Sequence, residues 1–228
     1  MKKLFFVLFS LTINVDTFAA FESTYEPLQS EKILFINGNI LDGEGNELLD
    51  TDLFIADGKI IAIGKGISVD DKDIKIIDAK NKWITPGIID IHSHMGVYPA
   101  PSVRTSSDGN EATSPVTAEV WAEHSMWVQD PQYALALKGG ITTFHVLPGS
   151  ANLIGGRGVT VKNLQRNTIQ SMKYPDAKHS LKMACGENPK RVYGNRGQAP
   201  STRMGNFAGY RKAWIEAENY LNKLEAYD

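Results

Sequence analysis

The sequence predicts an α/β chain: a small β-module followed by the first strands and helices of a (β/α)8 TIM barrel, incomplete within these 228 residues. Three observations lead there. Residues 32–85 alternate short apolar runs with turn residues, residues 87–92 form one continuous apolar run, and strand-like and helix-like segments alternate after it. The composition, 42% hydrophobic and 22% charged, is that of a globular chain rather than a disordered one. Lys and Arg number 24 against 26 Asp and Glu, so the net charge of −2 offers no basic field for nucleic acid. A single cysteine, Cys185, excludes an internal disulfide framework and any multi-cysteine zinc cluster. Metal chemistry therefore has to use His, Asp, Glu or a modified Lys.

The chain opens with Lys2 and Lys3, an apolar stretch over residues 4–13, and Thr17-Phe18-Ala19 as a cleavage pattern. Residues 1–19 read as an export signal, too short for a comfortable membrane span and interrupted by Asn14 and Asp16. The expected location is periplasmic or secreted, with no membrane attachment once the signal is removed.

ILFINGNIL, TDLFIADGKIIAIG and IKIIDAKNKWIT supply the strands of the β-module, within residues 24–86. Asp57-Gly58 between LFIA and KIIAIG predicts a two-residue hairpin, because both central positions of a type I′ turn need positive φ. So small a module is expected to pack against something larger.

From residue 87 onward the pattern changes. GIIDIH reads as a strand covered on both faces. Ser114-Pro115 predicts a helix over residues 116–128 that carries His124. Asp130 as cap and Pro131 at the first helical position predict a helix over residues 132–138, closed by Gly139-Gly140. ITTFHVL is a second buried strand and residues 181–185 a third. Phe207, Tyr210, Trp214, Ala217, Leu221 and Leu224 recur at helical spacing on a long amphipathic helix. The stretch after Pro86 is shorter than the roughly 250 residues of a whole barrel, so the chain is expected to be the front part, residues 87–228, of a truncated one.

The sharpest motif is Asp90-Ile91-His92-Ser93-His94. Alternate side chains of a strand share a face, so His92 and His94 project together and can share one divalent ion. An HxH pair alone is weak, but here it ends a buried strand directly after a β-module. With PGIIDIHSH, the leading strands (Asn37-Gly38-Asn39-Ile40 and Ile55-Ala56-Asp57-Gly58-Lys59-Ile60) and Gly139-Gly140-Ile141-Thr142-Thr143, the chain resembles the amidohydrolase superfamily of metal-dependent hydrolases. More loosely it is similar to the branch nearest imidazolonepropionase and its exported relatives.

The resemblance implies a composite β-sandwich beside the barrel and a metal-activated water attacking an amide or cyclic amide. It implies one or two divalent ions, most simply zinc, and a small-molecule amide or peptide-like substrate. It also implies later histidines and a proton-shuttling Asp past residue 228, so the isolated chain is expected to be inactive. Self-association is compatible with it. For a further ligand, Glu187 after the third strand is the first choice, against a loop glutamate pairing with Lys190 or Arg191. Lys182 is the rival, since elsewhere in the family a carboxylated lysine bridges two metals. His145 at the end of its strand, and Arg157, Arg191 and Arg203 on glycine-rich or polar loops, are substrate-binding candidates; buried packing and solvated charge are the respective alternatives. Cys185 reads as a small core residue and His179 as solvated. The alternative reading of a different class is an exported, non-catalytic binding or scaffold protein on a degenerate barrel.

Overall fold

The computed structural model describes residues 20–227; the export signal assigned to residues 1–19 lies outside the described residues. The leading module is a five-stranded sheet. β1 (Ile33–Leu41) pairs antiparallel with β2 (Glu47–Ala56), which pairs with β3 (Lys59–Gly64); β4 (Lys75–Asp78) and β5 (Trp83–Ile84) lie parallel to β1. The β2–β3 turn is the expected one, with Asp57 at φ 52° and Gly58 at φ 69°. Leu34, Ile40, Leu53 and Ala56 are buried, whereas Ile60, Ile61 and Ile76 are exposed. It is a single sheet, and neither a second sandwich layer nor a closed barrel is present among the described residues.

The remainder is built around β6 (Ile88–Ser93), which runs parallel to β7 (Ile141–Val146); β9 (Val159–Lys162) adds to β7 antiparallel. Between β6 and β7, α1 (Gln132–Lys138) begins where expected. Its Gln132 N–H donates to the Asp130 carboxylate at 3.0 Å, and the same buried carboxylate accepts from Gly96 N–H at 3.0 Å. One acid thus starts the helix and fastens the loop that follows His94. That loop passes tightly: Gly96 has φ +80°, and a Cβ on it would lie 2.2 Å from Tyr133 Oη. The core is Val97, Tyr133, Phe144, Val146, Val159, Val161 and Met172, with the Tyr133 and Phe144 rings stacked 5.5 Å apart.

Four expectations are corrected. Residues 116–128 are not a helix: Thr117 N–H donates to Ile154 O and Arg157 N–H to Val120 O, so this β-branched segment lies along β8 (Ile154–Arg157), leaving a short 3-10 turn at Ala122–His124. The glycine-rich stretch after β7 is itself strand β8, paired antiparallel with β10 (Leu181–Met183). Residues expected as a polar loop form α2 (Glu187–Gly194). Finally, the apolar run of β6 is covered on neither expected side. Ile89 is 62% and Ile91 77% exposed, because β6 is an edge strand and the described residues place nothing over that face. The same holds for the apolar stripe of α3 (Arg203–Glu225), where Phe207, Trp214 and Leu221 are exposed.

This asymmetry predicts unequal mutational costs. In chemical denaturation of this chain, Phe144→Ala is expected to cost about 3–5 kcal/mol through the cavity it leaves. Ile91→Ala is expected to cost less than about 0.5 kcal/mol.

Candidate metal centre

Parallel pairing of β6 with β7 sets the position of the histidine pair. Ser93 lies opposite Val146, and the chain past β7 continues the register, with Leu147 N–H donating to Ser93 O at 2.9 Å. His94, one residue further, therefore meets the end of β7, and its Nδ1 lies 2.9 Å from Leu147 O. A carbonyl can only accept, so Nδ1 carries the proton and Nε2 is left with a free lone pair. His92 stands beside it with ring centroids 5.3 Å apart and planes at 82°. The rings do not diverge to opposite faces, which is the outcome the period of two requires.

The third member comes from β10. Lys182 pairs with Gly156 of β8, which turns its side chain toward β6, and its Nζ donates to His92 Nε2 at 3.1 Å. Lys182 is buried, at 9% exposure, and burial pushes its pKa below the ordinary lysine value. His92 is also held below its ordinary value, first by the Lys182 charge, then by burial and by His94. Two imidazole lone pairs and an amine shifted toward its neutral form are thus collected at one place. The donor set suits a borderline cation such as zinc, provided Lys182 is uncharged or modified, since an ammonium would compete for His92 Nε2. Among the described residues, no group of three or more His, Cys, Asp and Glu is placed to hold a metal.

Glu187, the residue ranked ahead of Lys182 as a ligand, is not brought to His92. Gly186 breaks the chain direction after β10, and Glu187 opens α2 with its carboxylate 2.9 Å from Arg191 Nε and 64% exposed. Its role here is the helical ion pair that sequence reasoning held as the alternative. The three arginines are not collected either. Arg157 lies opposite Leu181 in the β8–β10 pair, so it projects away from Lys182, and its guanidinium rests 4.9 Å over the Trp121 ring. Arg191 is engaged by Glu187 and Asn188. Arg203 is the exposed first residue of α3.

His145 is close to this centre in a different way. Its Nδ1 is 2.9 Å from Thr160 Oγ1, the residue opposite it on β9, and its Nε2 is 2.6 Å from Ser180 Oγ. Both ring nitrogens are engaged, so the polar atom that His145 offers outward is the Ser180 hydroxyl. Gly158 makes room for this contact, since a Cβ there would sit 2.7 Å from Ser180 Oγ and 2.9 Å from His145 Nε2. Sequence reasoning missed Ser180 and Thr160; the available signal was that Ser180 precedes Lys182 by two and shares its face. His179, expected to be solvated, donates from Nδ1 to Gly158 O at 2.7 Å and meets the Trp121 ring edge-on.

A pH dependence follows from His145. Burial, then His179 and His92, hold it below the ordinary value of 6.5. The unfolded chain therefore takes up this proton first as the pH falls. The stability is present above about 6.5 and is lost on acidification through the lower folded value. Urea unfolding between about pH 7.5 and 5 should show that decline, and His145→Asn should flatten it.

A separate cavity of about 450 Å³ lies between the loop after β6 and the 3-10 turn, with Asp108, Glu111, Glu119, Trp121 and His124 in its wall. None of His92, His94 and Lys182 lines it.

No family model matches the chain. The amidohydrolase tasK of Hapsidospora irregularis is 36% identical over 163 residues, which cover 68% of this chain and 17% of that protein. A dihydroorotase of Bacillus cytotoxicus is 32% identical over 117 residues, 51% of this chain and 21% of that protein. Among solved structures, an amidohydrolase from Thermotoga maritima MSB8 superposes with a TM-score of 0.76 at 40% identity, over 85% of this chain and 49% of that one. The chain thus spans about half the length of the solved protein and roughly a fifth of the curated relatives.

Proposed function

We propose that this chain, a homologue of amidohydrolases over most of its length, contributes His92, His94 and Lys182 to the metal centre of an exported hydrolase acting on a cyclic or N-acyl amide. The observation that carries the reading is the convergence of three side chains from two strands, β6 (with the residue that follows it) and β10: His94 oriented by Leu147 O, His92 beside it, and the buried Lys182 amine at 3.1 Å from His92. A divalent ion held there would polarise the substrate carbonyl and lower the pKa of its water toward neutrality.

The chain's own residues have distinct tasks. Leu147 O fixes the His94 tautomer so that Nε2 keeps its lone pair for a metal. Burial of Lys182 favours its neutral amine, the form that can add carbon dioxide to give an N-carboxylate and release a proton. The carboxylate would turn a competing cation into an anionic ligand. Ser180, ordered by His145, offers a hydroxyl on the same strand face. The homology to a dihydroorotase favours a ring amide over a linear one, with an imidazolone-type ring as one member of that class. Residues 1–19 support export, through Lys2, Lys3 and the apolar run after them.

The test has two readouts. With zinc and 13C-labelled bicarbonate, the chain should show a protein-bound carbamate signal that Lys182→Met removes. Assayed in the protein that carries this chain, ring opening of dihydroorotate, hydantoin and imidazolone propionate should fall with a chelator and return with zinc. Turnover indifferent to chelation would overturn the reading.

A further inference from the structure

The N-terminal segment runs back over a buried ion pair. Lys173 Nζ lies 2.6 Å from Glu123 Oε2, and the two side chains are 8% and 0% exposed. Each has a second partner, and both belong to one residue. Phe21 N–H donates to Glu123 Oε1 at 2.8 Å, and Phe21 O accepts from Lys173 Nζ. The contact continues along the segment: Ser23 Oγ donates to Lys173 O at 2.7 Å, Thr24 N–H to Gln170 O at 3.0 Å, and Arg166 Nη2 to Glu26 O at 3.4 Å. The centroid of the Phe21 ring lies 4.8 Å from that of His124, a residue that also lines the 450 Å³ cavity.

We infer that residues 21–26 are a strap belonging to the folded unit, and that proteolytic maturation of this chain stops at or before the Ala20–Phe21 bond. A buried ion pair is stable only when its remaining donors and acceptors are satisfied. Here the Phe21 peptide does this for both ions at once. A cut after Ala19 leaves that peptide whole. A cut after Ala20 replaces the Phe21 N–H with an ammonium that faces the same carboxylate. A cut after Phe21 removes the partners of both ions and the ring that backs His124. The position of the strap stands on geometry alone; the processing boundary rests on the export reading.

Two experiments separate them. In the full chain, Phe21→Pro removes the N–H donated to Glu123, whereas Phe21→Ala keeps the backbone and removes only the ring. Phe21→Pro is expected to lower the Tm by about 4 °C or more and to raise the acetylation rate of Lys173 by acetic anhydride, read by peptide mass spectrometry, about tenfold; Phe21→Ala should leave Lys173 protected. Equal protection in Phe21→Pro, with an unchanged Tm, would overturn the strap. Secretion of the full chain followed by N-terminal sequencing should give a first residue no later than Phe21. A first residue beyond Phe21 overturns the boundary, and retention of residues 1–19 overturns the export reading together with it, while the Lys173 measurement still decides the strap.

Discussion

Lys173→Met should be the most destabilising single substitution outside the apolar core, costing about 3–5 kcal/mol and lowering the Tm by about 6–20 °C. The change leaves the fully buried Glu123 carboxylate without its cation, and the Phe21 N–H cannot neutralise a whole charge. The desolvation cost of an unpaired ion drives this number, not the attraction within the pair. The double variant Glu123→Leu with Lys173→Met should therefore regain most of the loss, since two apolar groups of similar size need no partners. Thermal unfolding of the unaltered chain and the two variants side by side checks both statements. A double variant no more stable than the single one would mean that the pair contributes through something other than charge burial.

The second large effect concerns the metal. His92→Ala or His94→Ala should each weaken zinc binding by at least about 100-fold, because losing a ligand exceeds the 10–100-fold typical of losing a residue that only orients one. His145→Ala, with its imidazole bound to Thr160 and Ser180, should change zinc affinity far less. Competition titration against a chromophoric chelator measures all three. Equal losses at His92, His94 and His145 would assign the effect to general loosening of the sheet.

How much of this was legible in the sequence depends on the range of the interaction involved. The HxH pair and the Asp57-Gly58 hairpin are local: a strand period and a turn requirement fix them, and the structure has both as the residues dictate. The α1 boundaries were legible for the same reason, since Asp130 and Pro131 act within one turn. Lys182 stands behind Glu187 as a sequence-based candidate because its match in strand order to the family is poorer; its burial depends on β8 pairing with β10, and β8 is hidden in a run of glycines that reads as a loop. Glu187 looked like a ligand because it follows a strand, but Gly186 and the (i, i+4) partner Arg191 carry it into a helix. Residues 116–128 failed in the opposite sense: a Ser-Pro start and apolar spacing suggested a helix, while Val116, Thr117 and Val120 found a strand edge instead. The Glu123–Lys173 pair and its Phe21 partner span separations of 50 to 152 residues, beyond any local pattern.

The centre itself is open to one direct observation. Crystals of the chain grown with zinc, with data collected on both sides of the zinc absorption edge, should give an anomalous peak about 2.0–2.1 Å from an imidazole nitrogen of both His92 and His94, with electron density extended past Lys182 Nζ toward the ion. A peak held by one of the two rings alone, or none at either while zinc binds elsewhere, would contradict the shared centre on which this functional account stands.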